Sequence, residues 1–102
     1  MYPPHQAFRL LKKWNSEKTS IRLLITLSFG VGSFIGRVAE VEGASIRFLS
    51  ADSSADFLLS LLAAAFEYRT QKVEPESTPP GYTRSLIAAF PSGAKVVFSE
   101  VP

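Results

Sequence analysis

The sequence predicts a mainly β domain with an N-terminal helix, folded as a small five-stranded barrel. Three observations carry that expectation. A helical period of apolar residues runs through residues 4–16. From residue 20 onward, segments rich in Ile, Leu, Val, Phe and Thr alternate with glycine- or proline-bearing breaks. The chain has 102 residues, 46% of them apolar and 20% charged, which suits one core and is too short for two domains.

The elements follow in order. Residues 4–16 place Ala7, Leu10, Leu11 and Trp14 at helical spacing on one stripe, with Gln6, Arg9, Lys13 and Ser16 elsewhere on the wheel. Pro3 and Pro4 suit a helix start, where the first N–H groups have no intrahelical partner to lose. Residues 20–29 read as a strand running into a turn at Gly30-Val31-Gly32. Segments 33–42 and 45–51 follow, separated by Gly43-Ala44, and the three look like an antiparallel meander. Residues 55–70 are apolar enough for a helix, and Asp52-Ser53-Ser54 offers it a cap. The period-two tail from Phe66 to Thr70 favours one long strand instead. Residues 71–84 hold three prolines and a glycine and read as a long loop, mobile before functional. Segments 85–90 and 94–101 flank Pro91-Ser92-Gly93 as a hairpin, with Gly93 at the position of positive φ.

Composition excludes several classes of chemistry. With no cysteine there is neither a disulfide framework nor a Cys-ligated metal site, which suits a reducing compartment and a cytoplasmic location. Residues 23–36 and 57–66 are uncharged, yet both are shorter than the roughly 20 residues that cross a bilayer. The opening Met1-Tyr2-Pro3-Pro4-His5 leads into a basic amphipathic segment, which is no signal peptide, so no membrane association is expected. The net charge is only +2. Positive charge nevertheless gathers in the first 22 residues, where Arg9, Lys12, Lys13, Lys18 and Arg22 oppose the single acid Glu17. Arg9, Lys12, Lys13 and Lys18 are therefore the candidate nucleic-acid contacts, and a solvated helix face is the plainer account of them.

Catalytic constellations do not assemble. The run Gly30-Val31-Gly32-Ser33-Phe34-Ile35-Gly36, with Asp52 twenty residues after Gly32, outlines a dinucleotide-binding turn. The helix that must follow would have about nine residues before Gly43, half the usual crossover. A glycine-bearing hairpin is preferred, with Gly36 marking a bend or a close backbone contact. His5 is the sole histidine and lies near the terminus, where a catalytic base is poorly held. Glu40 and Glu42 share a face of any strand, which reads as a solvated edge. Tyr82 and Arg84 end the long loop as candidate contact residues. No cofactor and no metal is expected.

In order, an amphipathic helix, a meander bent at glycine, a long apolar segment and a closing hairpin resemble the Sm-like small barrel, a relative of the SH3-like barrel. The local match is Gly36-Arg37-Val38-Ala39-Glu40-Val41-Glu42, similar to the first Sm motif's glycine, apolar residue and acid. Leu27-Ser28-Phe29-Gly30 resembles the approach to it. The pocket that binds RNA in that family has no counterpart. After Glu42 comes Gly43-Ala44-Ser45, without the stacking residue and asparagine, and the second motif's Arg-Gly pair is missing. The resemblance implies a barrel and ring assembly through strand edges. Glu42 and Ser45 are further candidate loop contacts beside Tyr82 and Arg84. The expected function is a non-catalytic assembly module that forms a homo-oligomer. The alternatives are an Sm-like RNA-binding protein and a nucleotide-binding protein using residues 30–36.

Overall fold

The structure, a computed structural model, describes residues 2–72 and 82–101. Helix α1 (Pro4–Glu17) begins with proline at its first positions and buries Ala7, Leu10, Leu11 and Trp14, the stripe expected from the spacing. It ends where Lys18 turns left-handed (φ 53°), which lets the N–H groups of Lys18 and Thr19 donate to the Asn15 and Trp14 carbonyls. Seven strands follow: β1 (Ile21–Leu27), β2 (Gly30–Glu42), β3 (Ser45–Ser50), β4 (Asp56–Ser60), β5 (Ala65–Lys72), β6 (Tyr82–Ala89) and β7 (Lys95–Glu100).

The strands form one antiparallel sheet in the order β4-β3-β2-β1-β7-β6-β5. This corrects the five-stranded barrel. The apolar run 55–70 is two strands, because Leu61 turns inward, Ala63 takes φ 65°, and Ala64 N–H closes a turn on the Leu61 carbonyl. Those two strands then take opposite edges of the sheet, and no ladder joins them. Residues 71, 72 and 82–84, expected in a loop, belong to β5 and β6, with Lys72 opposite Tyr82. Residues 73–81 of that expected loop lie outside the described residues. The first hairpin also turns earlier than expected, at Ser28-Phe29, so Gly30 and Gly32 are strand residues paired with Leu27 and Ile25. The last hairpin forms as read, with Gly93 at φ 94°.

The link between the edge strands dictates the shape. Laid flat, six spacings of about 4.8 Å would set β4 and β5 about 29 Å apart. The five Cα steps from Ser60 to Ala65 span at most about 18 Å. The sheet must therefore curl, and α1 lies in the concavity against β2 and β5. Alternation does the rest: Ile21, Leu23, Val38, Ile46, Phe48, Leu86, Ala88, Val96 and Phe98 point inward and are buried with Trp14.

Two local devices fit helix to sheet. Strand β2 runs beyond β1, whose pairing stops at Gly36, and its register with β3 shifts between Val38 and Glu40. The Asn15 side chain takes over: with its amide turned so that the nitrogen faces β2, that nitrogen donates to the Val38 and Ala39 carbonyls at 3.1 and 3.2 Å. Gly36 sits where β2 crosses from β1 to β3, and a Cβ there would stand 2.0 Å from the Leu49 carbonyl oxygen and 2.7 Å from Ser50 Cα. Both obstacles are backbone, so neither can swing aside. Gly36→Ala should destabilise the fold by about 3 kcal/mol. Gly30→Ala, whose Cβ meets nothing within 4 Å, should stay within about 0.5 kcal/mol of the parent. Urea unfolding of the two variants checks the contrast.

Candidate functional site

The structure divides the residues singled out in the sequence. Arg9 and Lys13 line a cleft beside α1, as does Arg84. Lys12 is exposed and does not line this cleft, and Lys18 borders a different recess with Ser20, Arg37 and Ser53. Glu42 and Ser45 are opposite partners closing the β2–β3 hairpin, where Gly43 supplies a positive φ of 57°. His5 is exposed in the first turn of α1. The segment 30–36 is strand throughout and continues as strand to Glu42, with no helix after it among the described residues. Asp52 caps the β3–β4 turn: the Ser54 hydroxyl, the Ser54 N–H and the Ser50 hydroxyl donate to one of its oxygens and hold its carboxyl at about 2. The dinucleotide outline thus lacks the loop and helix N-terminus it needs.

The cleft is built from the helix upward. Gln6, Arg9, Leu10 and Lys13 recur at helical spacing and form one wall, and Tyr2 and Arg84 form the other, around a volume of about 220 Å³. Tyr2 is fixed by its N–H donating to the Phe66 carbonyl and by stacking on Tyr68 at 5.1 Å. Arg84 is fixed by Glu100, which accepts from its Nε at 2.9 Å, its Nη2 at 2.7 Å and its backbone N–H at 2.6 Å. Trp14 Nε1 donates to the same carboxylate at 2.9 Å. One acid therefore ties α1, β6 and β7 together. Burial pushes the Glu100 carboxyl up, but the Arg84 and Trp14 donors outweigh it and leave it below the ordinary glutamate value. Arg84 is raised in turn, chiefly by its bonds to Glu100. Arg9 has no carboxylate partner among the described residues, and Lys13 has only Glu17, at 3.9 Å across an exposed helix turn.

The second feature is the outer edge of β4, which no other strand pairs among the described residues. Ser50 N–H donates to the Ala55 carbonyl and Leu61 N–H to the Ala44 carbonyl. Odd-numbered residues of β4 thus turn their backbone groups to β3, and Asp56, Leu58 and Ser60 present theirs on the open side. Their side chains lie on the outer face, where Leu58 is 78% exposed and nearby Leu62 is 74% exposed. Arg47 on β3 clasps Asp56 through Nε and Nη2, so the strand carries no net charge. The opposite edge is guarded: Tyr2 bridges to Phe66, and β5 exposes the charged pair Glu67–Arg69.

Among the described residues no cluster of His, Asp or Glu could hold a metal ion, and no helix is long and apolar enough to cross a membrane. No family model matches the chain, nor does any curated protein or solved structure.

The Glu100 network generates a pH prediction. Because the folded state holds this carboxyl below its unfolded value, the network's stabilisation is complete above the ordinary glutamate range. It fades as pH falls through the folded value. Glu100→Gln should lose about 1–3 kcal/mol near neutrality. Its stability should then fall less than the parent's on acidification, which urea midpoints at neutral and acid pH will compare.

Proposed function

We propose that the chain is a non-catalytic assembly module that pairs with a second copy of itself through β4. The observation that carries this reading is the outward row Asp56, Leu58 and Ser60 on an uncovered, charge-compensated edge. Its symmetry favours a twofold partner. An antiparallel match centred on Leu58 sets Leu58 against the second copy's Leu58 and Asp56 against its Ser60. All the outward N–H and carbonyl groups of these residues then meet complementary groups in one register. The exposed leucines cover one another, and a serine hydroxyl stands opposite each Asp56 carboxylate. The two curled sheets become one continuous sheet, without a barrel.

Leu58→Lys tests the reading. In the twofold match it sets two ammonium groups directly opposite, a pairing that destabilises a ladder. The parent should have the mass of a dimer by light scattering, and the variant that of a monomer. Leu58 lies outside the core and faces Arg47 across the β3–β4 ladder. The variant should therefore stay folded, with a stability lower than the parent's only by the lost association and by about 1 kcal/mol or less from the facing cations. A parent that stays monomeric at the highest soluble concentration overturns the reading, as does a variant that stays dimeric.

A further inference from the structure

We infer that the cleft between α1 and β6 binds a small organic phosphomonoester, its phosphoryl group held by Arg9, Lys13 and Arg84 and its organic part laid against Tyr2 and Leu10. This goes beyond self-pairing at β4 and shares no residue with it.

Charge comes first. Glu100 compensates Arg84 and fixes its position, while Arg9 and Lys13 bring two further cations to the same wall. Glu17 offsets Lys13 only from 3.9 Å across an exposed turn, which contributes little. Glu17 also acts on Arg84 from the cleft's margin, so three cations against Glu100 and Glu17 leave a positive excess of about one to two charges. A phosphomonoester with a second pKa near 6 supplies about −1.5 to −2 at neutral pH. A carboxylate supplies half as much.

Shape and preorganisation point the same way. Arginine offers phosphate a planar fork, and an arginine already immobilised by Glu100 loses little freedom on binding. The remaining lining is apolar or amphipathic: Leu10 from the helix, and Tyr2 held by its stack on Tyr68. Free phosphate has nothing to place there, and an aromatic or aliphatic ester does. A volume of about 220 Å³ admits a small ester and leaves a larger one projecting into solvent.

Phenyl phosphate is the probe, followed by amide chemical shifts of the intact chain at low salt, with inorganic phosphate and benzoate as comparisons. Saturable shifts confined to Gln6, Arg9, Leu10, Lys13 and Arg84 are expected. Affinity should rise as pH passes upward through about 6. Removing both cations in Arg9→Ala/Lys13→Ala should weaken binding by about tenfold or more, whereas Lys12→Ala, which removes a charge outside the cleft, should leave it within about twofold. Three results would overturn the inference: no saturable shift, benzoate binding as tightly as phenyl phosphate, or equal losses from the Lys12 and the Arg9/Lys13 variants. Inorganic phosphate binding as tightly as the ester would overturn the assignment of Tyr2 and Leu10. Light scattering of the Arg9/Lys13 variant separates this result from the fate of the β4 reading.

Discussion

Residues 61–64 join the two outermost strands of a seven-stranded sheet, and that short tether governs the molecule. A sheet whose opposite edges must approach each other cannot lie flat. Its inner face becomes a trough, and a trough lined by Leu23, Phe48, Leu86 and Phe98 needs an apolar filling. Helix α1 is that filling. Trp14, fully buried, accounts for much of it, and truncating a residue of this kind in a core costs about 3–5 kcal/mol. The closure that a small barrel achieves with strand pairing is achieved here by a helix, which is why β4 and β5 remain edges.

A helix laid against strands brings polar groups with it, and their disposition decides where chemistry can sit. Trp14 cannot be buried without a partner for its indole N–H, and Glu100 provides one. Glu100 in turn cannot sit beside an apolar core without donors, and Arg84 provides them. The guanidinium that satisfies the core therefore stands at the core's margin, facing the helix side that carries Arg9 and Lys13. The cleft's electrostatics thus follow from the way a tryptophan was packed. Asn15, the next residue along the helix, works similarly on its other side, supplying hydrogen bonds to β2 where β1 has ended.

Much of the local structure was legible because it depends on neighbouring residues alone. The stripe Ala7, Leu10, Leu11 and Trp14, the turn at Pro91-Ser92-Gly93 and the tight spot at Gly36 each follow from spacing or from what only glycine permits. Strand order was not legible, since alternation tells which face a residue occupies and not which strand lies beside it. The break at residues 61–64 was hidden in an unbroken apolar run with no glycine or proline to mark it. The Ser28-Phe29 turn likewise has no residue at positive φ, so the glycines beside it drew the boundary too late. Half of the cleft was visible as the helical recurrence of Gln6, Arg9 and Lys13. Its other half, Arg84, sits 71 positions beyond Lys13 and enters only through the curl.

The two surfaces differ in how firmly the fold holds them, and this bears on what each can recognise. The β4 edge offers backbone groups in a row, so it selects for an extended strand and for register, and side chains add specificity only through Leu58 and the clasped Asp56. Any strand with matching spacing competes for it, and a second copy has the advantage that its register is complementary by symmetry. The cleft offers fixed charges instead. Arg84 is held by three bonds to Glu100 and Tyr2 by a backbone bond and a stacked ring, so a ligand meets groups already in place. Because the cleft draws on α1 and β6 and the edge on β4, with no side chain in common, substitutions at one should leave the other unchanged to within about 0.5 kcal/mol. Coupling between them has two routes through the fold: the tether at residues 61–64, which ties β4 to the strand Tyr2 packs against, and the path from α1 through β2 and β3 to β4.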